Sequence, residues 1–205
     1  MALNIDGTTG ISGVDGSVSA PALTGTDSNT GITFPAADTI KFATGGVERM
    51  SITNSGVFPS GHIIQVVEGS TTSTVSTTSA GYIDTGLSQA ITPLQTGSQI
   101  LVIVSQHVGF ERYSTSNGAS LKLFQDSTVL YDPPQLYENY LYVGGSFMSL
   151  KLRAHFQFKH AHGKTAGTST TYKTQGAMQQ ASNTPYLYFQ GNNMRSSIVL
   201  MEIAA

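Results

Sequence analysis

The two histidines nearest in sequence, His160 and His162 of FKHAHGKTAG, are separated by the single residue Ala161. On an extended backbone alternate side chains share a face, so both rings would point the same way, an arrangement able to hold a metal ion. Lys159 and Lys164 flank the pair, and two nearby positive charges oppose a cation. The competing expectation is a solvated loop, and neither a resident metal nor another cofactor is expected. The carboxylates Asp84, Glu111, Asp126, Asp132, Glu138 and Glu202 could supply the two acids of a glycosidase. No spacing in sequence defines such a pair, because its geometry is set in space. No Ser-His-Asp context, phosphate-binding loop or metalloprotease motif is present. The glycines of GTTGISG lack the preceding strand and following helix that a phosphate cradle needs. The chain is therefore expected to be non-enzymatic.

The densest aromatic run is YDPPQLYENYLY, residues 131–142. Pro133-Pro134 disfavours a regular central strand, so Tyr131, Tyr137, Tyr140 and Tyr142 are expected to line an exposed loop. A tyrosine offers a flat apolar ring with a polar tip, which suits contact with a sugar or a protein receptor. Packing of these rings between subunits is the alternative.

Charged residues make up only 11% of the 205, less than half of the roughly 25% usual in soluble domains. Polarity comes instead from Ser, Thr, Asn, Gln and 22 Gly, a mixture that disfavours long helices and implies an all-β chain rich in turns. With net charge −2 and no Lys/Arg cluster, nucleic acid is not an expected partner. No apolar run reaches the ~18–20 residues of a membrane helix, so insertion by that route is not expected. The start MALNIDGTTG lacks the pattern of a signal peptide, giving the expectation of cytoplasmic synthesis without export. There are no cysteines, so stability must come from packing or oligomerisation.

Residues 1–30 are rich in Gly, Ser, Thr and Asp with isolated apolar positions, too few to bury a core. Residues 31–60 hold three short alternations, Ile32/Phe34, Ile40/Phe42 and Met50/Ile52. A patch of that size is marginal alone. Pro59-Ser60-Gly61 marks a break, and from 61 to 205 the strand signals lengthen: 62–68, 81–86, 99–110, 119–131, 146–158, 171–178, 185–191 and 196–203. Eight strands separated by turn clusters suggest a jelly-roll-like β-sandwich, with the apolar QILVIV run as a central strand covered on both faces. No helix is expected.

The phrases NIDGTTGISGVDGS, PALTGTDSNTGITF, DTIKFATGGVERMSITNSG, DTGLSQAITP with SQILVIVSQHVG, and SSIVLMEIAA together resemble tail-fibre or virion-fibre proteins of tailed bacteriophages, notably those of aquatic bacteria. The resemblance implies a homotrimer made in the host cytoplasm and carried on the virion, at the tail or on the capsid surface. Residues 1–30 would attach to another virion protein, 31–60 would form a short trimeric β-rich shaft, and 61–205 would be an exposed β-sandwich touching a host glycan or protein. Ile32, Phe34, Ile40, Phe42, Met50 and Ile52 would then bury against other subunits. The single His-x-His at His160 and His162 is similar to a motif with which some trimeric phage fibres hold an axial metal. A capsid decoration or head-fibre protein is the alternative, favoured by the short chain, whereas a polysaccharide-degrading spike would need a longer repetitive β-helix.

Overall fold

The computed structural model describes residues 4–6, 10–12, 15–54, 56–112, 117–133, 139–141, 147–178 and 186–205. Regular structure among them is almost entirely β, with one 3-10 turn at Gly191–Asn193. The chain divides into two compact units, Met1–Ile64 with Ile203–Ala205, and Gln65–Glu202.

The first unit begins with five strands of two or three residues: β1 (Asn4–Asp6), β2 (Gly10–Ser12), β3 (Gly16–Ser17), β4 (Ala20–Pro21) and β5 (Leu23–Thr24). Then follow β6 (Gly31–Ala36), β7 (Thr39–Thr44), β8 (Val47–Thr53) and β9 (Gly56–Pro59). Strands β5 to β9 form an antiparallel meander in sequence order, turning at Asp38 and at Gly45-Gly46, all with positive φ. Residues on opposed positions of an antiparallel ladder share a face. One row of the meander therefore joins Leu23, Ile32, Phe42, Met50 and Pro59, and the next joins Ile40, Ile52 and Val57. The opposite face carries Thr33, Lys41, Ser51 and Phe58 in one row, with Lys41 paired to Glu48 at 2.6 Å.

The remaining strands are β10 (Ile63–Thr71), β11 (Val75–Thr77), β12 (Ile83–Ile91), β13 (Gln99–Arg112), β14 (Asn117–Gln125), β15 (Thr128–Tyr131), β16 (Asn139–Leu141), β17 (Met148–Ala161), β18 (Thr170–Met178), β19 (Tyr186–Phe189) and β20 (Ser196–Ile203). One sheet runs β10-β20-β13-β19-β11, with β17 paired to β13 along all fourteen residues; the other runs β12-β18-β14-β15, with β16 on β14. Both sheets feed the same core. Ile100, Val102, Val104, Ile198 and Leu200 meet Leu87, Ile91, Leu123 and Tyr172, while Val108, Phe110, Leu187 and Phe189 meet Ala119, Leu121 and Met178. The second unit is thus a β-sandwich.

Most expected strands are present, and the sandwich departs from expectation at several points. The segment 119–131 is a hairpin rather than one strand, because Asp126 adopts positive φ (52°) and turns the chain back. β11 lies in a Ser/Thr-rich stretch with too few apolar residues to announce a strand. The expected cover on both faces of β13 is also uneven: Val102 and Val104 are fully buried, but Leu101 and Ile103 only half-buried.

Two features fix the spacing of the sandwich. A Cβ on Gly176 would lie 2.2 Å from the Phe189 ring, so the aromatic of one sheet uses the space vacated by glycine in the other. A buried polar bridge also crosses the core, where the Thr174 hydroxyl donates to Gln106 Oε1 (2.7 Å) and lies 2.6 Å from the Thr85 hydroxyl. Interiors are close-packed, so Gly176→Ala should lower stability by about 1–3 kcal/mol in chemical denaturation, with no change in the denaturant slope.

Candidate functional site

The two imidazoles of the His-x-His are held by different partners. His160 lies within β17, and its Nε2 is 2.9 Å from the Tyr172 hydroxyl. Its pKa is lowered, chiefly by burial, which favours the neutral ring. His162 falls just past the end of that strand, and instead of sitting in a solvated loop it is buried. Its Nδ1 accepts the Lys164 amide (3.0 Å), so the ring proton is on Nε2 and is donated to Ser98 Oγ (3.0 Å). Metal ligation needs a free lone pair, and His162 has both nitrogens engaged.

Ser98 leads on to Glu202, a carboxylate with no exposed surface on β20. The hydroxyl donates to Oε1 at 2.6 Å, Gln65 Nε2 donates to Oε2 at 2.6 Å, and the amides of Leu94 and Gln95 donate at 3.0 and 3.1 Å. Burial alone would raise the Glu202 pKa, but the donors outweigh it and hold the group below its ordinary value. Serine, histidine and a carboxylate therefore meet, but their wiring is unsuited to nucleophilic catalysis. In a hydrolase the serine hydroxyl gives its proton to histidine. Here histidine donates to serine, serine donates to the carboxylate, and Ser98 and Glu202 are sealed from solvent.

The other described carboxylates are engaged separately. Asp84 binds Lys173 at 2.9 Å and Gln175 at 2.7 Å, and these contacts, opposed by burial, lower its pKa. Asp126 is lowered first by its hydrogen bond to Lys164, 2.8 Å away, and also binds the Thr171 amide and Thr170 hydroxyl. Asp132 pairs with Lys122 at 2.9 Å, and Glu111 lies 3.5 Å from the Ser149 hydroxyl. Glu138 lies outside the described residues. A glycosidase acid needs a raised pKa, whereas Asp84, Asp126 and Glu202 move in the opposite direction.

Of the aromatic run, Tyr131 is not on an exposed loop. It ends β15, half-buried, and stacks on Phe156 of the facing sheet with ring centroids 5.6 Å apart. Tyr140 is on β16, opposite Gly118. Tyr137 and Tyr142 lie outside the described residues. Of the residues expected at subunit contacts, Phe34 is 37% exposed, and Ile32, Ile40, Phe42, Met50 and Ile52 are half-buried within the single chain.

The Glu202 cluster escapes sequence reasoning because Ser98 and His162 lie 104 and 40 positions from it. One signal was present. In SSIVLMEI the alternation puts Glu202 on the face of Ile198 and Leu200, an anion among core positions.

No family model and no curated protein matches the chain. Among solved structures it is similar to VP2 of infectious bursal disease virus. With the D431N mutant VP2 of derived T=1 particles it shares 8% identity at a TM-score of 0.34, covering 94% of this chain and 54% of that one. With the protein of the T13 viral particle the values are 11%, 0.32, 94% and 53%, and with a further T=1 particle structure 10%, 0.36, 94% and 54%. The chain spans about half the length of the chains it matches. Likeness at this level carries no conclusion about function.

Removing the Glu202 charge leaves its donors in the interior without an ionised acceptor. Glu202→Gln should cost about 2–4 kcal/mol at pH 7. Because the folded pKa lies below the ordinary 4.5, the carboxylate's stabilising effect is present above that value and lost as pH falls through the folded pKa. The gap between wild type and variant in thermal melts should therefore be widest at neutral pH and close in acid.

Proposed function

We propose that the chain is a non-enzymatic structural virion protein, a homotrimeric tail fibre that attaches the particle to its host. Residues 1–30 join another virion protein, 31–60 form the trimeric shaft, and the β-sandwich contacts a host surface glycan or protein. The fibre-like phrases of the sequence support this reading. The observation that carries it is the state of the meander in the first unit.

One face of that meander is almost wholly apolar and poorly covered. Leu23, Phe34 and Val57 are 39%, 37% and 53% exposed, and Ile40 and Ile52 border an open depression of about 390 Å³ with Phe34. The other face buries Thr33, Ala43, Ser51 and Phe58 within the chain. Covering a side chain such as Phe42 or Ile52 is worth roughly 1.5–3 kcal/mol. Three copies laying these faces together around an axis would offset the ordering cost that one copy cannot. Trimeric display also gives multivalency, which raises avidity without new contacts.

Phe42→Asp and Ile52→Asp should each convert the trimer to monomer in analytical ultracentrifugation while the far-ultraviolet β signal persists. Antibody labelling of intact particles tests the wider assignment: label at the tail supports it, and label on capsid facets or vertices replaces it with a decoration protein.

A further inference from the structure

An open depression of about 340 Å³ lies on the outward face of the sandwich, lined by His107, Lys151, Leu152, Arg153, Asn192 and Met194. Its walls follow from strand alternation. Leu150, Leu152, Ala154 and Phe156 of β17 turn toward the core, so Lys151 and Arg153 must turn outward together, beside His107 and Gly109 of β13. Lys151 has no ion-pair partner among the described residues. Arg153 Nη1 is held by Ser105 Oγ (3.1 Å) and the Arg195 carbonyl (2.9 Å), which fixes the guanidinium at the rim. Neither cation has an ion pair among the described residues: Glu68 is taken by Arg195 at 2.6 Å, and Glu111, opposite Ser149, lies 3.5 Å from the Ser149 hydroxyl.

His107 is 5% exposed, and its Nδ1 has no hydrogen-bond partner in the described structure. A buried polar atom without a partner is rare and costly. Its backbone is pinned, the amide donating to Ser196 Oγ (2.9 Å) and the carbonyl accepting from the Gln190 amide (3.3 Å). The opposite wall is a turn in which Gln190, Asn192 and Asn193 all adopt positive φ, a conformation costly for glutamine. Thr74 Oγ1 donates to the Gln190 carbonyl, and Gln190 Nε2 to Ser196 Oγ, so the strained turn is anchored. It presents the exposed Asn192 side chain and the 45% exposed Met194 to the depression.

We infer that this depression binds an anionic monosaccharide unit, a sugar bearing a carboxylate or phosphate, within the host glycan; the inference rests on the attachment reading above. The anion sits between Lys151 and Arg153, where charge-assisted hydrogen bonds are strongest. Asn192 donates to and accepts from ring hydroxyls, and Met194 covers an apolar face of the sugar. The volume is at the small end for ligand sites and suits a single sugar ring. The inference places a contact surface on the outward face of β13 and β17.

The test is an NMR titration of the full chain with glucuronic acid, glucose 6-phosphate, glucose and inorganic phosphate, following the His107 ring and Met194 methyl signals. Both acidic sugars should perturb these signals, glucose should bind at least tenfold more weakly, and the exposed substitution Lys151→Ala should weaken acidic-sugar binding by about tenfold or more. Glucose equal to glucuronate, inorganic phosphate equal to both acidic sugars, unchanged affinity in Lys151→Ala, or perturbation confined to residues 131–142 would each overturn the inference. Particles carrying Lys151→Ala separate the two levels. Normal adsorption with no sugar binding removes this site and leaves attachment standing, whereas a chain absent from the adsorbing structure removes attachment itself.

Discussion

Strict alternation along extended strands is the constraint from which the rest of this molecule follows. A strand has two faces, and whatever occupies one commits its neighbours to the other. β13 shows the consequence over fourteen residues. Burying Ile100, Val102, Val104, Val108 and Phe110 between the sheets forces Leu101, Ile103, Ser105, His107 and Gly109 outward. The sandwich supplies cover for the inner set from a second sheet. In the first unit the same alternation leaves Ile32, Ile40, Phe42, Met50 and Ile52 on a face that the chain itself only half covers.

Polar groups inside the sandwich refine this scheme. An apolar core alone tolerates a register slip poorly but does not forbid it; Gln106, Thr85 and Thr174 add a directional link between sheets, satisfied only when β13, β12 and β18 are in their observed register. Glu202 does the same at the end of β20, gathering the 92–98 loop, Gln65 and Ser98 around one charge. Its hydrogen bonds make that corner specific rather than catalytic, since the proton order through His162 and Ser98 runs toward the carboxylate.

Most of the fold was legible because it is written at period two. LKLFQ and SSIVLMEI place their inward residues without ambiguity, and Leu121, Leu123, Ile198 and Leu200 are buried accordingly. What could not be read depends on backbone dihedrals or on distance in sequence. The turn at Asp126 rests on one positive φ in a residue type that adopts it only sometimes. Tyr131 carried the polar-tipped ring of a contact residue, yet its position opposite Leu123 turns it onto Phe156. The outward depression joins β13, β17 and the 190–194 turn, three segments with no shared motif.

On the reading proposed above, other copies of the chain cover the apolar face of the first unit. The protein contains its own standards for a direct measurement: Met178 is 2% exposed and Met194 45% exposed, while Met50 sits on the face in question. Peroxide oxidation of the purified protein, followed by peptide mass spectrometry, ranks the three thioethers by access to solvent. Coverage by other copies predicts that Met50 oxidises at the slow rate of Met178. Oxidation of Met50 at the rate of Met194 would contradict the account.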